Sequence, residues 1–260
     1  MTPLERLNPT VKLAVVTAVS VALLPVFDPW TPTALYVLAL AGLLAARQVR
    51  PRALLVAQVP FALFGLGTFT VNALTRGGSA VAEAGPFEVT DDGLSVGAAL
   101  AVRTLVVGVC VVGFVASTDP ARLLTSLQLQ ARLPARVAFA VVAGYRVLDE
   151  LPEQWTTILR AHAVRHPSAR RRRDGAPRLT LALAARAALT LLVVALRRGE
   201  RLAITMESRG LGAGPRTTWR PTPVRRADVA FVVGALACLA AVLAVSAWTG
   251  RLAGPGALTG

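Results

Sequence analysis

Two arginines at the ends of two long helical patterns have the side chains best suited to chemistry in this sequence. One pattern closes on Met206-Glu207-Ser208-Arg209-Gly210 and the other on Ala161-His162-Ala163-Val164-Arg165-His166. A planar guanidinium makes paired hydrogen bonds to a carboxylate, which give direction as well as charge. Gly210 permits the left-handed turn that stops a helix just past Arg209. The alternative is that each arginine is a solvated basic residue, whose positive charge is favoured by the dipole at the C-terminal end of the helix.

Other residue types with possible chemistry do not form a site. The sequence has no Walker A loop, no nucleophile elbow and no paired carboxylates within an apolar run, so we expect neither an ATPase nor another enzyme. His162 and His166 stand four residues apart without a third ligand nearby, and we expect no metal and no cofactor. Cys110 and Cys238 lie in apolar stretches, where thiols act as small hydrophobic groups.

Arg103 lies in the middle of an apolar run, where an unpaired charge costs at least a few kcal/mol. It must therefore face the interior of a helix bundle. We expect a structural ion pair or a contact with backbone carbonyls, and a place on a substrate pathway is the alternative. Asn72, in the preceding run, is a less specific residue of the same kind.

The elements that position these residues belong to a membrane protein. The chain has 54% hydrophobic residues and only 16% charged residues, which is too apolar for a single soluble core. Its net charge is +14, but the arginines lie between apolar runs, where they act first as topology signals. We therefore predict an all-α, polytopic protein of the lipid bilayer with no nucleic-acid partner.

About five apolar runs are long enough, or nearly so, to cross a membrane. They are Val11–Phe27, Thr33–Ala46, Ala53–Leu74, Leu94–Ser117 and Ala227–Trp248. A Gly-rich loop is expected at Thr75–Gly93. The predicted domains are an N-terminal membrane domain with four spans at 1–118, an Arg-rich segment at 119–226, and a C-terminal span with its tail at 227–260.

Basic residues near span ends set the orientation, because they stay in the cytoplasm. The second connector carries Arg47, Arg50 and Arg52, whereas acids dominate the first and third connectors. Between residues 119 and 228 there are 20 arginines against 8 acids. We therefore expect the N-terminus and the Arg-rich segment in the cytoplasm, and Glu88 and Thr259 outside.

The Arg-rich segment is predicted to form three amphipathic helices, the last two ending in the arginine-bearing turns. The first helix begins at Asp119-Pro120 with the aspartate as N-cap. The second begins at about Pro134 and should kink at Pro152. The third contains the apolar run Leu179–Leu196. This run is not a sixth span, because arginines flank it on both sides and Arg186 interrupts it.

The order of these features resembles the transmembrane T component of energy-coupling factor transporters, a family that includes the cobalt and biotin transporter permeases. The resemblance covers nearly the whole chain. It rests on Leu7-Asn8-Pro9-Thr10-Val11-Lys12-Leu13, Arg103, Ser117-Thr118-Asp119-Pro120 and Met206-Glu207-Ser208-Arg209-Gly210, the last similar to the family's second Ala-Arg-Gly signature. The first signature corresponds to Ala161–His166, where Val164 and His166 replace Ala and Gly, and where Arg160 is a rival to Arg165.

The resemblance implies a four-part importer of a vitamin or a transition-metal ion in the cell inner membrane. This chain would be the scaffold, with two ABC-type ATPases below it and a substrate-binding membrane protein, the S component, beside it. Arg165, Arg209 and Gly210, with Glu207 and Ser208, would then couple the scaffold to the ATPases. Substrate specificity would lie in the S component, so this chain does not identify the substrate.

Two other functions remain open at this stage. A self-contained secondary transporter would need acids inside the spans or inverted repeats with broken helices. The interiors of the five runs contain no Asp or Glu. A membrane-anchored interaction protein would use the Arg-rich segment to bind anionic lipid or nucleic acid, with strong salt dependence.

Overall fold

The computed structural model describes residues 3–47, 49–77, 80–84, 87–165, 180–211 and 221–250, and most of them are helical. The chain divides into two compact units. One comprises Met1–Leu123 with Thr222–Gly260, and the other comprises Leu124–Pro221. The first unit holds the apolar helices, and the second holds most of the Arg-rich segment.

The first unit is built from six helices and one β-hairpin in the described part of the chain. They are α1 (Pro3–Arg6), α2 (Pro9–Ala22), α3 (Trp30–Ala45), α4 (Pro51–Thr75), β1 (Ala80–Ala84), β2 (Phe87–Thr90), α5 (Asp91–Ser117) and α9 (Arg226–Trp248). Among the described residues, α4, α5 and α9 are long and apolar enough to cross a membrane, and α2 and α3 are shorter apolar helices. Each of the five predicted runs thus overlaps a helix.

The first predicted run is longer than the helix it forms. It was expected to reach Phe27, but α2 ends at Ala22. The cause is Pro25, which has no N–H to continue the helix and which disfavours helical backbone in the residue before it. The start of α2 follows the sequence more closely, because the Asn8 side chain accepts a hydrogen bond from the N–H of Thr10 and Pro9 takes the first helical position.

The expected loop at Thr75–Gly93 is also corrected. It contains the antiparallel hairpin of β1 and β2, and α5 begins directly after it at Asp91. Buried Thr90 joins these elements, because its Oγ1 lies 2.9 Å from the carbonyl of Arg76 and 3.2 Å from the N–H of Gly93. The hydroxyl therefore caps α5 while it holds the hairpin against the end of α4.

Small residues allow α4 and α5 to pack closely. A Cβ added at Gly97 would lie 3.0 Å from the carbonyl oxygen of Phe69, and one added at Gly65 would lie 3.1 Å from that of Ala101. Close approach through small residues is typical of helix packing in membranes. A core cluster of Leu23, Val26, Leu35, Val106 and Leu239 joins α3, α5 and α9 to the end of α2.

The Arg-rich segment forms the three helices that its pattern predicts. They are α6 (Pro120–Gln130), α7 (Ala135–Arg165) and α8 (Leu181–Ser208). The Asp119 carboxylate accepts a 2.7 Å hydrogen bond from the N–H of Ala121 at the start of α6. α7 includes Pro152 within its length. α7 and α8 pack together, and Glu150 of α7 forms an ion pair with Arg198 of α8.

Candidate functional site

The C-terminal end of α8 is fixed by a glycine turn. Gly210 has a φ of 77°, in the left-handed region. Its N–H donates to the carbonyl of Glu207 at 2.9 Å, and the N–H of Leu211 donates to the carbonyl of Met206 at 3.0 Å. These two bonds form a Schellman motif, which satisfies carbonyls that the end of a helix leaves open. The predicted left-handed turn at Gly210 is confirmed.

Arg209 is the C-cap residue of α8 and lies at the surface. Its backbone N–H donates to the carbonyl of Thr205 at 3.3 Å, so its backbone is held by the helix. Glu207 and Ser208 are exposed as well, and the Ser208 hydroxyl donates to the same Thr205 carbonyl at 3.0 Å. The turn therefore leaves Arg209 exposed at the C-terminal end of a helix of 28 residues.

Arg165 also lies at the C-terminal end of a helix, α7. It is the last residue of that helix and is exposed, as is its rival Arg160. Val164 is 77% exposed. His166 lies outside the described residues, so the turn after Arg165 stays a prediction. Both helices thus end at an exposed arginine, and the second end has a defined turn.

The apolar stripes of α7 and α8 lie mainly at the surface. Val141, Leu148, Leu189 and Leu192 are each about half exposed or more, at 48%, 59%, 66% and 57%. The described residues buried in this pair of helices are small, for example Ala187 at 0%. The sequence predicted amphipathic helices here, but it did not show that their apolar side chains would be exposed. An exposed apolar stripe of this size suits contact with lipid or with an apolar protein surface.

Arg103 contacts backbone carbonyls, as the sequence led us to expect. Its Nη2 donates to the carbonyl of Val26 at 2.5 Å and to that of Leu24 at 3.2 Å. The guanidinium also lies 5.3 Å from the centre of the Phe27 ring, within range of a cation–π interaction. The two carbonyls flank Pro25, where the helical hydrogen bonds of α2 have ended. Arg103 thus supplies donors that the broken helix lacks.

The family model of CbiQ, described as cobalt transport protein, matches residues 1–219 of the chain. The chain belongs to this family. It is therefore a membrane protein of a transport family, and the resemblance to energy-coupling factor T components is confirmed. A search of the curated proteins gave no match. The matched region includes α2 to α8, both arginine-bearing helix ends and Arg103.

This CbiQ-family chain also contains a polar cluster that sequence reasoning missed. Asn8, Lys12, Ser117 and Asp228 are buried, with exposures of 3%, 4%, 6% and 1%. They come from the N-terminal motif, the end of α5 and the start of α9. The motif was recognised from its spacing, but nothing in the sequence indicated that its partners lie at the two ends of the Arg-rich segment.

An apolar cavity of about 470 Å³ lies among α2, α3, α5 and α9 of the CbiQ-family fold. The residues that line it are hydrophobic or glycine apart from Lys12 and Ser117. They include the cysteines Cys110 and Cys238 but no carboxylate. The described residues also contain no group of three or more His, Cys, Asp or Glu arranged to hold a metal ion. His166 lies outside those residues.

Proposed function

We propose that this chain is the non-catalytic transmembrane scaffold of an energy-coupling factor importer. It couples ATP hydrolysis by two partner ABC-type ATPases to an S component that binds the substrate. Membership of the CbiQ family supports this function. The observation that carries it is the exposed Arg209, held at the tip of α8 by the turn at Gly210.

The mechanism follows from the stiffness of the helices and the shape of the guanidinium. A helix of 28 residues spans about 42 Å. A displacement of its C-terminal end is therefore transmitted along this length. The planar fork of Arg209 binds a carboxylate of one ATPase in a fixed direction, and Arg165 binds the second ATPase in the same way. Closure of the ATPases on ATP then displaces both helix ends.

The proposed substrate is a vitamin or a transition-metal ion held by the S component. The description of the matching family names cobalt, which favours the metal ion. We place the chain in the cell inner membrane, with its N-terminus and the Arg-rich segment in the cytoplasm, where ATP is available. The excess of arginine between residues 119 and 228 supports this orientation.

Purification of the tagged chain from membranes tests this function. The chain is expressed with its genomic neighbours, extracted in mild detergent, and its companions are identified by mass spectrometry. We expect two ABC-type ATPases and one small membrane protein, and ATP-dependent uptake after reconstitution. Transport by the chain alone on an ion gradient would establish a secondary transporter instead. Salt-sensitive binding to anionic vesicles without any ATPase would establish an interaction protein.

A further inference from the structure

The N-terminal motif contacts the chain at the point where the Arg-rich segment begins. The Nζ of Lys12 donates to the carbonyl of Ser117 at 2.7 Å, to its hydroxyl at 3.1 Å and to the carbonyl of Leu4 at 3.2 Å. These bonds use all three protons of the ammonium group. Ser117 is the last residue of α5. In the first turn of α6, Arg122 adds a 3.0 Å hydrogen bond to the carbonyl of Glu5.

The same motif contacts the chain where the Arg-rich segment ends. The side-chain amide of Asn8 donates to the carbonyl of Thr222 at 2.9 Å, and its backbone N–H donates to Oδ1 of Asp228 at 2.6 Å. Oδ2 of Asp228 accepts a 2.6 Å bond from the N–H of Arg225. The buried carboxylate therefore joins the N-termini of α2 and α9, where the helix dipoles favour a negative charge.

These contacts share one short stretch of chain, residues 4–12. We call Leu4, Glu5, Asn8 and Lys12 the N-terminal clamp. Their partners are distant in sequence: Ser117 is 105 residues from Lys12, and Asp228 is 220 residues from Asn8. The contacts are thus tertiary ties between the two ends of the Arg-rich segment, and they do not arise from local turn formation.

The clamp contacts lie beside two non-helical joints of the backbone. Thr118 joins α5 to the Arg-rich segment in an extended conformation, with φ −128° and ψ 123°, and residues 221–225 lead into α9 without helical structure. Non-helical joints of this kind absorb displacement as changes in backbone angle. Hydrogen bonds to the carbonyls of Ser117 and Thr222 hold the backbone on either side of the segment.

We propose that the N-terminal clamp positions both ends of the Arg-rich segment and passes its displacement into α2, α5 and α9. This role rests on the coupling function proposed above and assigns one of its steps to named residues. Asn8 and Lys12 are positioning residues, which act through Ser117, Thr222 and Asp228. The opening motif of the sequence thereby acquires a mechanical role that its spacing alone does not reveal.

Uptake and ATP hydrolysis, measured together on the reconstituted complex, test the clamp. Lys12→Gln removes the charge and one donor, while Asn8→Ser keeps a cap for α2 but cannot donate to Thr222. We expect both variants to retain the ATPases and to hydrolyse ATP, while uptake per ATP falls about tenfold. Lys12→Arg keeps the charge and the donors but has a larger head group, so uptake per ATP should fall less than in Lys12→Gln. Ser20→Ala is the matched control, since it removes only a hydrogen bond within α2.

Each other outcome has a defined meaning. Unchanged uptake per ATP in both Lys12→Gln and Asn8→Ser would overturn the clamp and leave the scaffold function standing. Loss of the folded complex in both variants would overturn it too, because the contacts would then serve folding alone. If only Lys12→Gln fails to fold, the ratio of uptake to ATP hydrolysis in Asn8→Ser tests the clamp. A wild-type chain that binds no ATPase would instead refute the coupling function itself.

Discussion

Arg103, Arg198 and Arg209 carry the same guanidinium in three different surroundings. Arg103 faces the carbonyls of Leu24 and Val26, and Arg198 pairs with Glu150 between α7 and α8. Arg209 lies at the exposed tip of α8. The first two contacts lie within the chain and stabilise it. An exposed side chain at a helix end is also accessible to another protein.

Arg103→Leu should weaken folding or assembly and leave substrate preference unchanged. A leucine side chain is compatible with lipid, but it cannot donate to the two carbonyls near Pro25. The loss of these hydrogen bonds should lower the stability by about 1–3 kcal/mol. The thermal midpoint and the yield of the purified complex measure this loss. Thr104→Val, on the same turn of α5, removes only a bond to the carbonyl of Leu100 and is the control. A complex that assembles normally but selects a different substrate would show that Arg103 lies on a substrate pathway.

Arg209→Ala should release the ATPase, and Arg209→Lys should have an intermediate effect. Alanine leaves the acidic partner unpaired, which costs on the order of 2–5 kcal/mol if that partner is buried. Lysine keeps the charge but lacks the planar fork. The amount of ATPase recovered with the tagged chain measures the difference. Arg197→Ala, also exposed on α8 but away from its tip, should bind normally. Equal recovery from all three variants would show that the tip does not dock.

At the scale of the element, Gly210 determines where α8 stops. Gly210→Ala places a Cβ at a φ of 77° and should destabilise the turn by about 1–2 kcal/mol, while Gly210→Asn should cost less. Gly199→Ala is the control, because a Cβ there meets nothing within 4 Å and α8 should gain about 0.5–1 kcal/mol. The midpoint of thermal unfolding and the amount of bound ATPase are compared between the Gly210 variants and the Gly199→Ala control. Gly210→Ala with undiminished stability and binding would mean that the turn is not needed.

Most elements could be predicted because their signals are local. Apolar runs bounded by charge or proline placed α4 as Ala53–Leu74, against Pro51–Thr75 in the structure. The end of α2 was missed because hydrophobicity was followed past Pro25. The hairpin was missed because its strands are short and the pairing of β1 with β2 depends on their meeting in space.

The candidate site could be predicted in part for the same reason. The turn at Gly210 is encoded by adjacent residues, so the sequence alone located it. We expected carbonyl contacts for Arg103 because an unpaired charge in lipid is costly in free energy. The sequence did not identify Leu24 and Val26 as the partners. The N-terminal clamp depends on residues 105 and 220 positions apart, and a single sequence carries no signal for such pairs.

At the scale of the whole molecule, the arginine distribution predicts the topology. Single cysteines replace Arg50, Arg171, Arg220 and Glu88 in a background without Cys110 and Cys238. Membrane-impermeant reagent should label Glu88→Cys from outside and the other three only from the cytoplasmic side. Arg171 and Arg220 lie outside the described residues. Labelling at these two positions tests whether the chain crosses the membrane between them. Labelling of these two positions from opposite faces would mean that Leu179–Leu196 spans the membrane.

Substrate uptake by a complex that carries both Arg165→Ala and Arg209→Ala tests the coupling claim most directly. If each helix end serves one ATPase, the double variant is at least as impaired as the worse single variant. Arg209→Ala should be that variant, because Val164 and His166 depart from the family signature around Arg165. Each complex is reconstituted at equal amounts, and ATP-driven uptake is measured beside the wild type. Uptake close to background in the double variant is the predicted result, and full uptake without either guanidinium would contradict the account.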